Sequence, residues 1–236
     1  MLIEERSGYH LRMTKQLKID FVSDVVCPWC AVGLGGLEQA LARLEGEVKA
    51  DIHFQPFELN PQMGPEGQDI VEHISEKYGS TPEQMAERWQ MMCDRAAEVG
   101  YQFQRERLGR IWNTFDAHRL LHWAGTLGGS AQRDLKQALL SSYHEQGQAV
   151  GQREVMLAAV AAAGLDADVA RSLLAGDEFA AEVRDREAFY RQAGITAVPS
   201  VIVNDQYLIQ GGQPAEAFEQ ALRQIAQQSV GTTPTA

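Results

Sequence analysis

Cys27 and Cys30 stand in the stretch FVSDVVCPWC, residues 21–30, separated by Pro28 and Trp29. Two thiols at that spacing can cycle as a disulfide, supply half of a metal site, or lie inert in a core. Ahead of them runs a strand-like apolar segment. Behind them Leu34, Leu37, Leu41 and Leu44 recur on one face of a helix. Cys27 therefore falls where a strand gives way to a helix. There the unpaired backbone N–H groups and the helix dipole favour an anion, and the thiolate is the reactive form of cysteine. Pro28 suits the first helical turn, where its missing N–H is no loss. Cys30, one turn further in, is within disulfide reach and more deeply placed. The spacing thus assigns attack to Cys27 and resolution of the mixed disulfide to Cys30. A zinc site would need two more ligands, and the chain has no second Cys-x-x-Cys; nothing in the spacing recruits Cys93 or any of the six histidines. A strand-to-helix junction is also an unusual place for inert cysteines, so the redox reading is the one favoured.

The elements that must position this pair follow from hydrophobic periodicity. QLKIDFVSD (16–24) alternates as a strand, with Leu17, Ile19 and Phe21 on one face. The helix after the cysteines stops near Gly46. ADIHFQPFEL (50–59) reads as a second strand, which Pro56 directs to a sheet edge or an exit. Strand, helix and strand make a βαβ unit. From about residue 67 to 193 nearly every window favours helix. One stripe runs through Met85, Trp89, Met92, Ala96 and Val99, and reads as core. Another helix starts at an Asn113 or Thr114 cap, and a third passes through Leu135, Leu139 and Tyr143. Two short helices follow, then one capped by Asp177 through Phe179, Val183 and Tyr190. Strand signals return in PSVIVNDQYLIQGG, two runs joined at Asn204–Asp205, residue types that suit a tight hairpin. Pro214 opens a last helix through Phe218, Leu222 and Ile225. The predicted fold class is α/β: βαβ, a long helical stretch, then ββα. One domain would comprise 16–66 and 177–228, with an all-helical domain, 67–176, inserted in it. Residues 1–15 and 229–236 read as flexible tails.

Composition bounds the partners. The 236 residues carry 21 basic and 32 acidic side chains, a net charge of −11. That field repels phosphate backbones and anionic lipid, so nucleic acid and membranes are not expected partners. No apolar run is long enough to span a bilayer. Three cysteines are too few for a secreted disulfide framework. The opening MLIEERSGYHLRMTKQ has no apolar signal core, and Met13 is an alternative start. The expected setting is the cytoplasm, where a permanent structural disulfide is improbable. Nothing in the sequence fixes an oligomeric state.

The Cys-x-x-Cys at 27–30, FELNP at 57–61, NTFDAHRL at 113–120 and AVPS at 197–200 together resemble the DsbA family of the thioredoxin superfamily, in its FrnE-like branch. The resemblance covers roughly residues 16–228. It implies a thioredoxin-like fold, a thiol–disulfide oxidoreductase acting on protein or small-molecule thiols and disulfides, and no bound cofactor. It also implies a cis Val198–Pro199 bond facing the cysteines, with the Val198 backbone pairing to an extended substrate. The strongly oxidising relatives carry Pro-His between their cysteines. Here the pair is Pro-Trp, which implies a less oxidising disulfide. Trp29 would either offer an apolar contact to substrate or pack against the helical insertion. Related groups of the same fold, the kappa-class glutathione transferases and the hydroxychromene-carboxylate isomerases, replace the nucleophilic cysteine with serine and use glutathione. The two cysteines here count against that chemistry, which stands as the first alternative, a glutathione-dependent transferase or isomerase with Cys27 in place of the serine; glutathione is also a candidate co-substrate. A non-catalytic redox-sensing protein is the alternative from another class.

Other candidates carry weaker signals. His118 and His122 lie one turn apart on a predicted helix with Asp116 near, a spacing compatible with a metal but lacking the His-Glu-x-x-His pattern, so no metal is expected. Asn113 and His118 would face the cysteines from that helix. Cys93 reads as a small core residue. Arg105, Arg107 and Arg110 could hold a carboxylate such as that of glutathione, but such runs are more often solvated loops.

Overall fold

The computed structural model describes residues 14–228. The expected tails therefore lie outside the described residues except at their inner edge. There Lys15 opens the first strand rather than closing a tail, because its N–H reaches Glu47 O at 2.9 Å.

β1 (Lys15–Ser23) is followed by α1 (Pro28–Arg43) and β2 (Val48–Pro56), and β2 lies parallel to β1 from Lys15↔Val48 to Ser23↔Pro56. β5 (Ser200–Val203) and β6 (Tyr207–Gln210) complete a four-stranded sheet in the order β2-β1-β5-β6, with β5 antiparallel to both neighbours. Asn204 and Asp205 join them with φ of 53° and 56°, the two positive values that a type I′ turn demands. Lys18 pins the turn: its N–H donates to Asn204 Oδ1 and its ammonium lies 2.6 Å from Asp205 Oδ1.

The alternation read in β1 holds on one face only. Leu17, Ile19 and Phe21 pack with Leu34 and Leu37 of α1 and with Phe218 and Leu222 of α9 (Ala215–Gln228). Asp20 and Val22 are buried too, because α8 (Ala180–Gln192) covers the other face through Tyr190. Each fully buried Leu or Phe contributes ~1.5–3 kcal/mol. β2 forms one sheet edge, as Pro56 signalled. Gln132 closes it: Oε1 accepts Phe54 N–H at 2.9 Å, and Nε2 donates to Phe54 O and Leu121 O.

Between β2 and α8 the chain is helical, with one interruption that the periodicity did not show. β3 (Gln68–Asp69) and β4 (Arg110–Ile111) pair as a two-stranded sheet, which brackets α2 (Ile70–Tyr78) and α3 (Pro82–Glu98). Both helices are capped, α2 by Asp69 and α3 by a Thr81–Gln84 capping box. The Met85–Val99 stripe is a shallow contact rather than core: Ala96 is the only buried residue of α3. The core of this region instead belongs to α4 (Phe115–Leu127), α5 (Ala131–Leu140), α6 (Arg153–Ala162) and α7 (Ala167–Ala175). The helix expected through Tyr143 widens after Leu140 into a five-residue π turn, Ser141–Glu145. Asp177 does not cap α8. Phe179 holds that place in a left-handed conformation, φ 62°, with its ring against His122.

Candidate active site

Cys27 is the N-cap of α1, with extended φ/ψ of −86° and 114°, and Pro28 opens the helix. Cys30 N–H donates to Cys27 O at 3.0 Å, so the two cysteines share the first turn. Cys27 is 4 % exposed and Cys30 fully buried. Both are free thiols. Burial pushes the Cys30 thiol well above its ordinary range, and its hydrogen bond to Cys27 raises it further; Lys136 and the Asp24 backbone N–H pull against this.

Two loops close over that turn. The Val198–Pro199 peptide bond is cis, and the Cys27 thiol lies 3.8 Å from Val198 O. The approach depends on Gly33: a Cβ there would sit 2.9 Å from Pro199 Cγ. Gly211 N–H donates to Pro199 O at 2.8 Å, which ties the second loop to the first. Gly212 lies against Trp29, where a Cβ would meet Trp29 O at 3.0 Å. Trp29 is half-buried and packs on the sheet-side core. Its indole thus contacts this glycine loop.

Beneath the cysteines lies a set of buried polar groups. Asp24 Oδ2 accepts the Leu59 N–H at 2.8 Å, and Oδ1 lies 3.4 Å from His118 Nε2. Burial alone would raise the Asp24 carboxyl. The hydrogen bond and charge of His118, with Leu59 N–H and Thr114, outweigh it and hold the group below its usual value. His144 Nε2 donates to Val25 O at 3.1 Å, and burial pushes its imidazole down to about 3, so it is neutral. Lys136 is fully buried from α5. Sequence reasoning passed over Asp24, Lys136 and His144. A signal existed: Gln132, Lys136, Leu140 and His144 recur four residues apart, and this is the face of α5 and its π turn that turns inward.

The remaining candidates do not gather at the cysteines. Asn113 spends its side chain on Met63 O and Phe115 N–H. Asp116 pairs with Arg119 at 2.8 Å, and His122 packs on Phe179, apart from His118 in partners. Among the described residues no three His, Cys, Asp or Glu side chains are grouped to hold a metal ion. Cys93 is half-exposed at the rim of the sheet-side core rather than buried in it. Arg110 binds Glu66 O and Gly67 O, while Arg105 and Arg107 are exposed on a single 3₁₀ turn.

Known proteins share this architecture. The chain is 32% identical to a probable DsbA oxidoreductase from Streptomyces coelicolor, with a TM-score of 0.84 over 93% of each chain. It is 27% identical to YwbO of Bacillus subtilis over 89% of this chain and 96% of that protein. The cytosolic disulfide reductase DsbM from Pseudomonas aeruginosa, solved with GSH, shares the fold at a TM-score of 0.59 and 14% identity, over 89% of this chain and 99% of that one. Residues 18–223 match the DSBA-like thioredoxin domain, and the chain belongs to that family.

Proposed function

We propose that the protein is a thiol–disulfide oxidoreductase in which Cys27 forms a mixed disulfide with substrate and Cys30 resolves it. The observation that carries this reading is the placement of Cys27 at the N-cap of α1, with Cys30 one turn deeper in the same helix. In the oxidising direction, a substrate thiolate attacks Cys27 of the disulfide and Cys30 leaves as a thiol after taking a proton. A second substrate thiolate then displaces Cys27, and the substrate leaves oxidised while the pair is reduced. The reducing direction runs the same steps backwards. The pair itself carries the two electrons, so the cycle requires no bound cofactor.

Val198, Pro199 and Trp29 form the substrate-facing rim in this reading. Val198 O already lies beside the Cys27 sulfur, where an extended substrate backbone would add as a strand. The motifs at 57–61, 113–120 and 197–200 support a place in the FrnE-like branch. Glutathione is the proposed small-molecule co-substrate, a suggestion drawn from the GSH-bound DsbM neighbour. The cytoplasm is the proposed compartment; no helix among the described residues is long and apolar enough to cross a membrane.

The test is trapping. Cys30→Ser should accumulate a mixed disulfide with glutathione on Cys27, read by intact mass. Cys27→Ser should form none. A glutathione adduct on Cys30 or Cys93 in place of Cys27 would overturn the assignment.

A further inference from the structure

The loop that faces Cys27 carries the carbonyls of Ala197, Val198 and Pro199 in succession. The outer two are each held by a donor of the protein. Ser200 Oγ donates to Ala197 O at 2.8 Å, and Gly211 N–H donates to Pro199 O at 2.8 Å. The middle one turns to the active site, where the Cys27 thiol lies 3.8 Å from Val198 O. Each carbonyl belongs to a planar peptide unit, so holding the units on both sides leaves the middle one little room to rotate. The bond from Ser200 has a second effect. Ala197 O and Val198 N–H point opposite ways across their peptide unit. Drawing Ala197 O toward the buried serine therefore turns Val198 N–H away from the strand, and among the described residues that N–H meets no acceptor.

Ser200 is an odd residue for its position. It opens β5, is 0% exposed, and lies between Val22 of β1 and Gln210 of β6. Val201, Ile202 and Val203 complete the strand. Such a position favours a β-branched or aromatic side chain, and a buried hydroxyl loses the water it would otherwise bind. The hydroxyl needs a partner, but Ala197 is exposed and its carbonyl can be served by solvent. The bond is thus not required to satisfy Ala197 O. What it adds is direction: it sets the plane that carries Val198 N–H. A residue that breaks the local strand preference without a packing gain points to function.

We propose that Ser200 is a positioning residue for polypeptide substrates. Its hydroxyl fixes the Ala197–Val198 peptide unit, so that Val198 N–H and Val198 O stand ready to pair with the extended backbone of a chain joined to Cys27. The proposal rests on the exchange chemistry put forward above. Ser200 touches neither the substrate nor the sulfurs; it acts through Val198. Pairing along a main chain supplies affinity and carries no side-chain preference. The substrate class that gains is therefore a cysteine within an extended polypeptide of any sequence. A disulfide without a peptide backbone makes no use of this edge and should be indifferent to Ser200.

The test mixes the reduced full-length protein with two mixed disulfides of thionitrobenzoate. In one the other half is an extended hexapeptide with a single internal cysteine; in the second it is mercaptoethanol. Cys27 attacks the aliphatic sulfur of either probe. The bond from Cys27 to that sulfur forms, the bond to thionitrobenzoate breaks, and the aromatic thiolate leaves with its colour, which is followed against probe concentration. Wild type should half-saturate at a lower concentration of the peptide probe than of the mercaptoethanol probe. In Ser200→Ala the half-saturating concentration of the peptide probe should rise about three- to tenfold, the weight of one ordinary hydrogen bond. Its limiting rate, and both constants for the mercaptoethanol probe, should stay within about twofold, because only binding along the backbone is lost. A loss shared by both probes marks a damaged site and overturns the proposal. So does a folded Ser200→Ala with wild-type half-saturation for the peptide. So does a wild type that half-saturates equally with the two probes, and this arm needs no variant to fold. These outcomes leave exchange at Cys27 standing. Absence of aromatic thiolate release from wild type with either probe would instead strike the exchange reading, and this proposal with it.

Discussion

His144 joins the π turn to the loop that carries the cysteines, and its burial makes that joint sensitive to acid. The imidazole titrates at an ordinary 6.5 in the unfolded chain and at about 3 in the folded one. Its full contribution to stability is present above about pH 6.5. Below that the unfolded state binds the extra proton, so stability falls with pH until the folded group protonates near pH 3. Each pH unit inside this window costs ~1.4 kcal/mol. The loss from pH 7 to pH 5 attributable to His144 is thus roughly 2 kcal/mol. Replacing it by glutamine keeps a donor for Val25 O and removes the titration. Urea unfolding of wild type and His144→Gln at pH 7, 6, 5 and 4 measures the difference directly. Titrating groups that do not interact with His144 cancel between the two proteins. The gap should shift by about 2 kcal/mol in favour of the variant between pH 7 and 5. Parallel curves, with a shift under about 0.5 kcal/mol, would refute the claim that His144 is buried as a neutral donor.

Three further outcomes follow from single contacts. Gly33→Ala places a Cβ 2.9 Å from Pro199 Cγ; it should cost about 1–3 kcal/mol in urea unfolding and slow glutathione disulfide turnover by displacing the Val198–Pro199 loop. Gln132→Leu strips the partners from Phe54 N–H and O on the β2 edge and should cost about 1–3 kcal/mol, with faster amide exchange at Phe54. Arg184→Ala leaves Glu58 and Glu187 buried side by side without their shared cation. Burial and the Glu187 charge already raise the Glu58 carboxyl against the pull of Arg184, so the variant should lose more stability at pH 8 than at pH 5.

Much of the sheet and the cysteine turn was legible because the signals are local. A Pro after Cys27, a leucine face in α1, and the Asn204–Asp205 turn each fix backbone geometry within a few residues. Pro56 likewise marked β2 as an edge. What was missed depends on contacts distant in sequence. Asp24 reads as the polar end of a strand until Leu59 and His118 close on it. Lys136 reads as a solvated helix residue until α5 is seen to turn its Gln132–His144 face inward. The α8 start was misread for a related reason: Asp177 has the right side chain for a cap, but Arg119 gathers Leu173 O, Gly176 O and Glu178 O around itself. The helix then begins two residues after that knot, at Ala180, behind an N-cap Phe179 in the left-handed region. The two-residue strands β3 and β4 carry too short a pattern for periodicity to register.

The most direct measurement is the redox equilibrium of the Cys27–Cys30 pair. The protein is equilibrated in glutathione buffers of graded poise, acid-quenched and alkylated, and the oxidised fraction is read by mass. The predicted result is one two-electron transition to an intramolecular Cys27–Cys30 disulfide, absent in Cys27→Ser. Its potential should fall between the ~−120 mV of the strong oxidant DsbA and the ~−270 mV of thioredoxin, because Trp29 supplies no charge to the thiolate. Failure to form that disulfide at any poise would contradict the assignment of this turn as a redox centre.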